Sequence, residues 1–152
     1  MSTEPIRVSL ALRCPPDHAF DTYARRIGEW WDPRYTADAD TFTGVTIEPR
    51  VGGRVVEHHG DGRDVVWGTV TVWQPGRILA YTSSLAQAPG HPTRIELAFA
   101  PDDDDGAVVL FQHGGWDEDN AADHDKFTDW PQILERFTAL ADADASTAAA
   151  DE

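Results

Sequence analysis

The feature that most constrains the fold is a change in the spacing of apolar residues at Gly114-Gly115. From Thr41 to His113, apolar and polar residues alternate in short runs separated by turns rich in glycine and proline. Alternation with a period of two is typical of half-buried strands, and such turns favour hairpins. After Gly115 the period becomes helical, which predicts one amphipathic helix at the C-terminal end. Its apolar stripe comprises Phe127, Trp130, Ile133, Leu134, Phe137, Leu140 and Ala141.

The segment before Thr41 adds one strand and two short helices. Residues 6–12 alternate as a strand does, and Pro15-Pro16-Asp17 then ends the strand and begins a helix. Gly28 predicts a break before Trp30-Trp31. The order of elements therefore predicts an α+β fold, with six antiparallel strands between the short helices and the long one. We place a single domain at residues 1–141 and expect 142–152 to be a disordered acidic, Ala-rich tail.

The charge of the chain restricts its partners. Asp and Glu number 27 against 12 Lys and Arg, so the net charge is −15. Such a chain repels phosphate backbones and anionic lipids, which argues against nucleic acid and membrane surfaces as partners. No run approaches the roughly 20 apolar residues of a membrane span. The lone Cys14 excludes an internal disulfide, and we interpret it as a structural residue of a cytoplasmic protein.

Several stretches, in this order, carry a resemblance to a known family: CPPDHAFDTYARRIGEWW, VGGRVVEHHGDG, WGTVTVWQPGRIL, TRIELAF, VVLFQHGGW and DWPQILERF. Together they resemble the START-like (SRPBCC) superfamily, in the branch of homologues of the heat-shock protein ATPase activator. The resemblance implies a helix-grip fold, in which a curved antiparallel sheet of six to seven strands wraps around a long C-terminal helix. It also implies a cavity between them, with ligand binding as the commonest role.

The resemblance has departures that fall near the expected cavity. Asp129 stands where the family commonly has Gly, and Thr82 where it usually has Trp. The run from Ala107 to Leu110 is apolar on both faces, where the family tends to alternate. That pattern indicates a covered outer face or the contact of a possible homodimer.

Two polar residues are predicted to point into the interior. Glu57 alternates with Val55 and His59, and the resemblance at GGRVVEHH favours the face of Val55 and Glu57 as the inner one. His113 shares a face with Val109 and Phe111. We therefore expect a Glu57–His113 pair, which would either orient a ligand or act as acid and base. The alternatives are a buried structural pair and an exposed Glu57 at the rim of the sheet.

No motif indicates a nucleophile, a cofactor or a metal. His58 and His59 are adjacent on a strand and face opposite ways, so they do not readily share a metal. The acidic cluster from Asp117 to Asp125 lacks the signature of a calcium loop, and a solvated helix start explains it.

The leading hypothesis is a module that binds a small hydrophobic molecule. The expected ligand-binding residues are Trp31, Val55, Glu57, Trp67, Leu97, Phe111, His113, Trp130, Leu134 and Phe137. One alternative is an enzyme of cyclase, dehydratase or hydrolase type that uses Glu57 and His113. Another is a cochaperone-like interaction module, by analogy with the family's namesake.

Overall fold

The computed structural model describes residues 5–32, 40–83, 93–102, 106–116 and 130–150, with side chains described up to residue 143. The acidic cluster, Phe127 and Asp129 lie outside the described residues. The strands are β1 (Ile6–Leu12), β2 (Phe42–Ile47), β3 (Arg54–His59), β4 (Asp64–Gln74), β5 (Ile78–Ser83), β6 (Thr93–Pro101) and β7 (Ala107–Gly114). The helices are α1 (Pro16–Arg25), α2 (Ile27–Trp30) and α3 (Trp130–Ala150).

The strands form one sheet in the order β1-β7-β6-β5-β4-β3-β2, and every neighbouring pair is antiparallel. Its register shifts lie between Phe42 and Gly44, between Val55 and Val56, and between Val70 and Val72. Such irregularities bend and twist a strand, which lets the sheet curve around the C-terminal helix. The predicted helix-grip fold is confirmed.

The helices close the concave side of the sheet. Helix α1 has Pro in its first turn, as predicted, and buries Phe20 and Tyr23. Arg136 of α3 donates a hydrogen bond from Nε to the carbonyl oxygen of Trp30 at 2.8 Å. This bond ties the C-terminal helix to the end of α2. No helix in the described part of the chain is long and apolar enough to cross a bilayer.

Helix α3 extends beyond the boundary expected from composition. It is continuous through its first turn, where Pro131 requires no N–H partner, and it runs on to Ala150. Composition predicts a disordered tail for these last residues, but residues 142–150 continue the helix. Asp142 Oδ1 accepts a hydrogen bond from the backbone N–H of Arg13 at 2.9 Å. Composition did not reveal this contact because it joins residues at opposite ends of the chain.

Cys14 is fully buried. Burial, and to a lesser degree the neighbouring Asp142 carboxylate, raises the pKa of the Cys14 thiol to about 11. Because the thiolate is the reactive form, this environment keeps the thiol unreactive at neutral pH. This buried position agrees with the interpretation of Cys14 as a structural residue.

Candidate functional site

All of the residues expected to bind a ligand lie in the interior. None of them exposes more than 3 % of its surface. They come from the residue that follows α2, from β3, β4, β6 and β7 on the inner face of the sheet, and from α3. They are Trp31, Val55, Glu57, Trp67, Leu97, Phe111, His113, Trp130, Leu134 and Phe137.

A chain of aromatic rings crosses the interior beneath the first turn of α3. The ring centroid of Trp31 lies 4.8 Å from that of Trp67 and 5.9 Å from that of Trp130. Trp130 in turn packs on Phe111 with centroids 4.6 Å apart. These are the separations of favourable tilted and edge-on ring contacts. The space in which the resemblance implies a cavity is therefore bordered by indole and phenyl rings.

A second aromatic group lies further along α3. The ring of Phe137 is 5.3 Å from Tyr23 and 5.6 Å from Trp30, centroid to centroid. Trp30 also contacts Trp31 at 5.6 Å, which joins this group to the first one. The helix thus meets α1 and α2 through one continuous aromatic layer.

Glu57 lies at the β3 end of this interior. Its carboxylate is fully buried and forms a hydrogen bond with Nε2 of His59, while Trp67 Nε1 donates to its other oxygen at 3.1 Å. His59 Nδ1 lies 2.7 Å from the hydroxyl oxygen of Thr41. Arg63, whose side chain is 57 % exposed, donates to the same hydroxyl at 3.2 Å. The network therefore runs from a buried carboxylate to the protein surface.

His113 lies at the other end, and its hydrogen bonds define its tautomer. Trp130 Nε1 donates to His113 Nδ1 at 3.0 Å, and an indole nitrogen can only donate. Nδ1 is therefore unprotonated, and Nε2 carries the hydrogen that it donates to Thr93 Oγ1 at 2.5 Å. Thr93 passes a hydrogen bond on to the carbonyl oxygen of Ser83 at 3.2 Å. The imidazole is a neutral bridge that fixes the start of α3 to the sheet.

The expected Glu57–His113 pair is wrong. Among the described residues, Glu57 bonds to His59 and Trp67, whereas His113 bonds to Thr93 and Trp130. Strands β3 and β7 are separated by β4, β5 and β6. At about 4.8 Å per strand, this separation is roughly 19 Å measured along the sheet. Pointing into the same interior was not enough to bring the two side chains together.

Sequence reasoning missed His59 as the partner of Glu57. The signal was present, since residues two apart on a strand share a face and His59 is two residues after Glu57.

Among the described residues, no three His, Cys, Asp or Glu side chains are grouped so that they could hold a metal ion.

Sequence reasoning also missed a pair of tyrosines. The hydroxyl oxygens of Tyr23, on α1, and Tyr81, on β5, are 2.7 Å apart in the core. Burial raises the pKa of both hydroxyls. No local pattern indicates the pair, because it depends on where α1 crosses the sheet.

Solved structures with this architecture span nearly the whole chain. Protein MLL2253 from Mesorhizobium loti matches with a TM-score of 0.70 at 19% identity, covering 92% of this chain and 98% of that one. The Aha1 dimer from Colwellia psychrerythraea matches with a TM-score of 0.64 at 18% identity, covering 91% of this chain and 96% of that one. At such identities, the likeness shows a shared fold.

A third solved structure is more similar in sequence. It is the anthrahydroquino-gamma-pyrone synthase Txn09 complexed with SUM, at 26% identity and a TM-score of 0.64, covering 92% of this chain and 99% of that one. No curated protein matches the sequence significantly. The family described as Activator of Hsp90 ATPase homolog 1-like protein matches residues 13–142, and the chain belongs to that family.

Proposed function

We propose that this chain binds a small, largely apolar molecule between the inner face of the sheet and α3. The observation that carries the proposal is the convergence of Trp31, Trp67, Trp130 and Phe111 beneath the first turn of α3. Sites for small molecules are mostly apolar and aromatic, with a few directed polar groups. The helix-grip fold and the resemblance to ligand-binding SRPBCC proteins support the same conclusion.

Entry to this interior requires an aromatic ring to move, and Trp31 is the ring best placed to do so. It directly follows α2, a helix of only four residues, and its backbone N–H bonds to the carbonyl oxygen of Ile27. Helices this short have little stability of their own. Rotation of Trp31 away from Trp67 and Trp130 would open the space next to α3.

The test is to fill the interior from the helix side. Leu134 is fully buried on α3, and Leu134→Trp adds ring volume beneath the helix. We expect the variant to bind N-phenyl-1-naphthylamine, a neutral apolar fluorophore, at least about tenfold more weakly than the unchanged chain, or about 1.4 kcal/mol. A neutral probe is chosen because the chain carries a net charge of −15. The measurement is a fluorescence titration, with a thermal melt to confirm folding.

The matched control places the same side chain on the outside of the same helix. Ala139 of α3 is exposed, so Ala139→Trp adds an indole without occupying the interior. We expect this variant to bind the fluorophore as the unchanged chain does. Equal affinity of the two variants, or no binding by the unchanged chain, would contradict the proposal.

An enzyme that uses acid–base chemistry is the second candidate. The observation that favours it is the buried Glu57–His59 pair, whose outer imidazole nitrogen meets the hydroxyl of Thr41. A carboxylate that orients an imidazole is a recurrent arrangement in general-base catalysis. The 26%-identical structure is that of a synthase. Under this candidate, Glu57 and His59 would take the acid and base roles that we expected of Glu57 and His113.

Self-association is a separate proposal, and it concerns the outer face of the sheet. Leu110 of β7 is 55 % exposed, and its register neighbours are Ser9 of β1 and Ala98 of β6. These residues line a groove of about 500 Å³, and Arg7 and Glu96 line it as well. Opposite charges in one groove are complementary to those of a second copy related by a two-fold axis. We propose that this groove is the contact of a homodimer.

Leu110→Lys is expected to shift the sedimentation-equilibrium mass from dimer to monomer at physiological ionic strength, because it places a charge at the centre of an apolar contact. Val66 of β4 is 46 % exposed, so Val66→Lys makes the same change on another strand and should leave the mass unchanged. If the unchanged chain is a monomer, or if the two variants have the same mass, this groove is not the contact of a homodimer.

A further inference from the structure

The hydroxyl groups of Tyr23 and Tyr81 leave one hydrogen without an acceptor. Two phenol groups hold two hydrogens, and the bond between their oxygens at 2.7 Å uses one of them. Within the described part of the chain, nothing else accepts a hydrogen bond from either oxygen. Both residues are buried, with exposures of 0 % and 1 %. Buried donors almost always have an acceptor, so this pair is set up for an additional partner.

The protonation state of the two hydroxyls determines which hydrogen-bonding group the partner has to supply. Burial raises the pKa of Tyr23 well above its ordinary value and also raises that of Tyr81, so both hydroxyls keep their hydrogens. One tyrosine donates to the other, and the second is left to donate outward. Chains of hydroxyl donors strengthen one another in a medium of low polarity. The partner therefore has to offer an oxygen that accepts a hydrogen bond.

The position of the pair places this partner in the interior next to α3. Tyr81 lies on the central strand β5, and the ring of Tyr23 contacts Phe137 of α3 and Trp30. The other directed groups of this interior already have protein partners: His113 bonds to Thr93 and Trp130, and Glu57 to His59 and Trp67. Of these described groups, the tyrosine pair is the one with an unused donor.

We infer that Tyr23 and Tyr81 form the polar anchor of the ligand site and select an apolar ring compound that carries a ketone or quinone oxygen. The inference rests on the proposed binding function and specifies the chemistry of the ligand. An apolar interior holds the ring system, and the free phenol hydrogen binds its carbonyl oxygen.

The test compares two ligands of the same shape, fluorene and 9-fluorenone, which differ by one carbonyl oxygen. We expect the unchanged chain to bind 9-fluorenone about tenfold more tightly, as measured by quenching of Trp fluorescence. In the double variant Tyr23→Phe/Tyr81→Phe, both ring volumes remain and both hydroxyls are lost. The tenfold preference should then disappear while the affinity for fluorene is unchanged.

Thr22→Val is the matched control. It removes a buried hydroxyl one residue away on the same helix, but that hydroxyl already donates to the carbonyl oxygen of His18 at 2.9 Å. The preference for 9-fluorenone should persist in this variant. A direct measurement that needs no variant is the infrared carbonyl band of bound 9-fluorenone, which should shift to lower frequency than in hexane.

The outcomes separate the two proposals. If both ligands bind equally to the unchanged chain, or the carbonyl band does not shift, the binding function stands and the tyrosine anchor is overturned. If neither ligand binds, the proposed function is overturned and the anchor with it. Loss of the preference in Thr22→Val would also overturn the assignment, because any buried hydroxyl of α1 would then have the same effect.

Discussion

Replacing His59 with phenylalanine is expected to lower the free energy of unfolding by about 3 kcal/mol, because it leaves a buried carboxylate without its main partner. Glu57 is fully buried, and its described hydrogen-bond partners are His59 and Trp67. In the variant, the bond from Trp67 Nε1 would remain. Phenylalanine is somewhat larger than histidine, so a cavity is not the cause of the loss. Urea unfolding followed by Trp fluorescence measures the change.

The neighbouring residue supplies the control. His58 Nδ1 lies 2.9 Å from Asp64, and Nε2 lies 2.9 Å from the hydroxyl of Thr46, but its side chain is 39 % exposed. Because exposed pairs contribute about 0–1 kcal/mol, His58→Phe should change the unfolding free energy by no more than that. Similar losses for the two variants would show that Glu57 does not depend on His59.

Gly68→Ala is expected to destabilise the protein by about 3 kcal/mol or more. A Cβ atom at Gly68 would overlap the carbonyl oxygen of Thr82 on the neighbouring strand β5, and backbone atoms cannot move aside as a flexible side chain can. Gly68 follows Trp67, the donor to Glu57, so the shift should also disturb that bond. A lowered thermal midpoint and altered Trp emission are the expected measurements.

Gly44→Ala tests whether the loss at Gly68 comes from this clash rather than from any added methyl group in the sheet. Gly44 lies on β2, and a Cβ atom there would have no neighbour within 4 Å. Since alanine has less conformational freedom to lose than glycine, this variant should be unchanged or more stable by up to about 1 kcal/mol. If Gly68→Ala proves as stable as Gly44→Ala, the close approach of β4 to Thr82 is not a constraint on the fold.

The order of strands and helices follows from patterns that are local in the chain, whereas the helix-grip arrangement was implied by the family resemblance. The strands, the two short helices and the apolar stripe on α3 were predicted because alternation and helical spacing reflect the backbone geometry of each segment. Alternation placed His113 on the face of Val109 and Phe111, and the family resemblance at GGRVVEHH favoured the inner face for Glu57. The predicted domain ended at residue 141, because composition alone does not reveal the hydrogen bond between Asp142 and Arg13.

The partners of the interior polar groups were decided by the tertiary structure. Glu57 and His113 both point inward, but the strand order places three strands between β3 and β7. Trp130 meets His113 and Tyr23 meets Tyr81 because of the way α3 and α1 cross the sheet, and each pair joins residues far apart in the chain. Periodicity specifies the face on which a side chain lies, whereas hydrogen bonds between distant elements depend on sheet curvature and helix placement. The sequence therefore determined what is buried, and the packing of the helices on the curved sheet determined which buried groups meet.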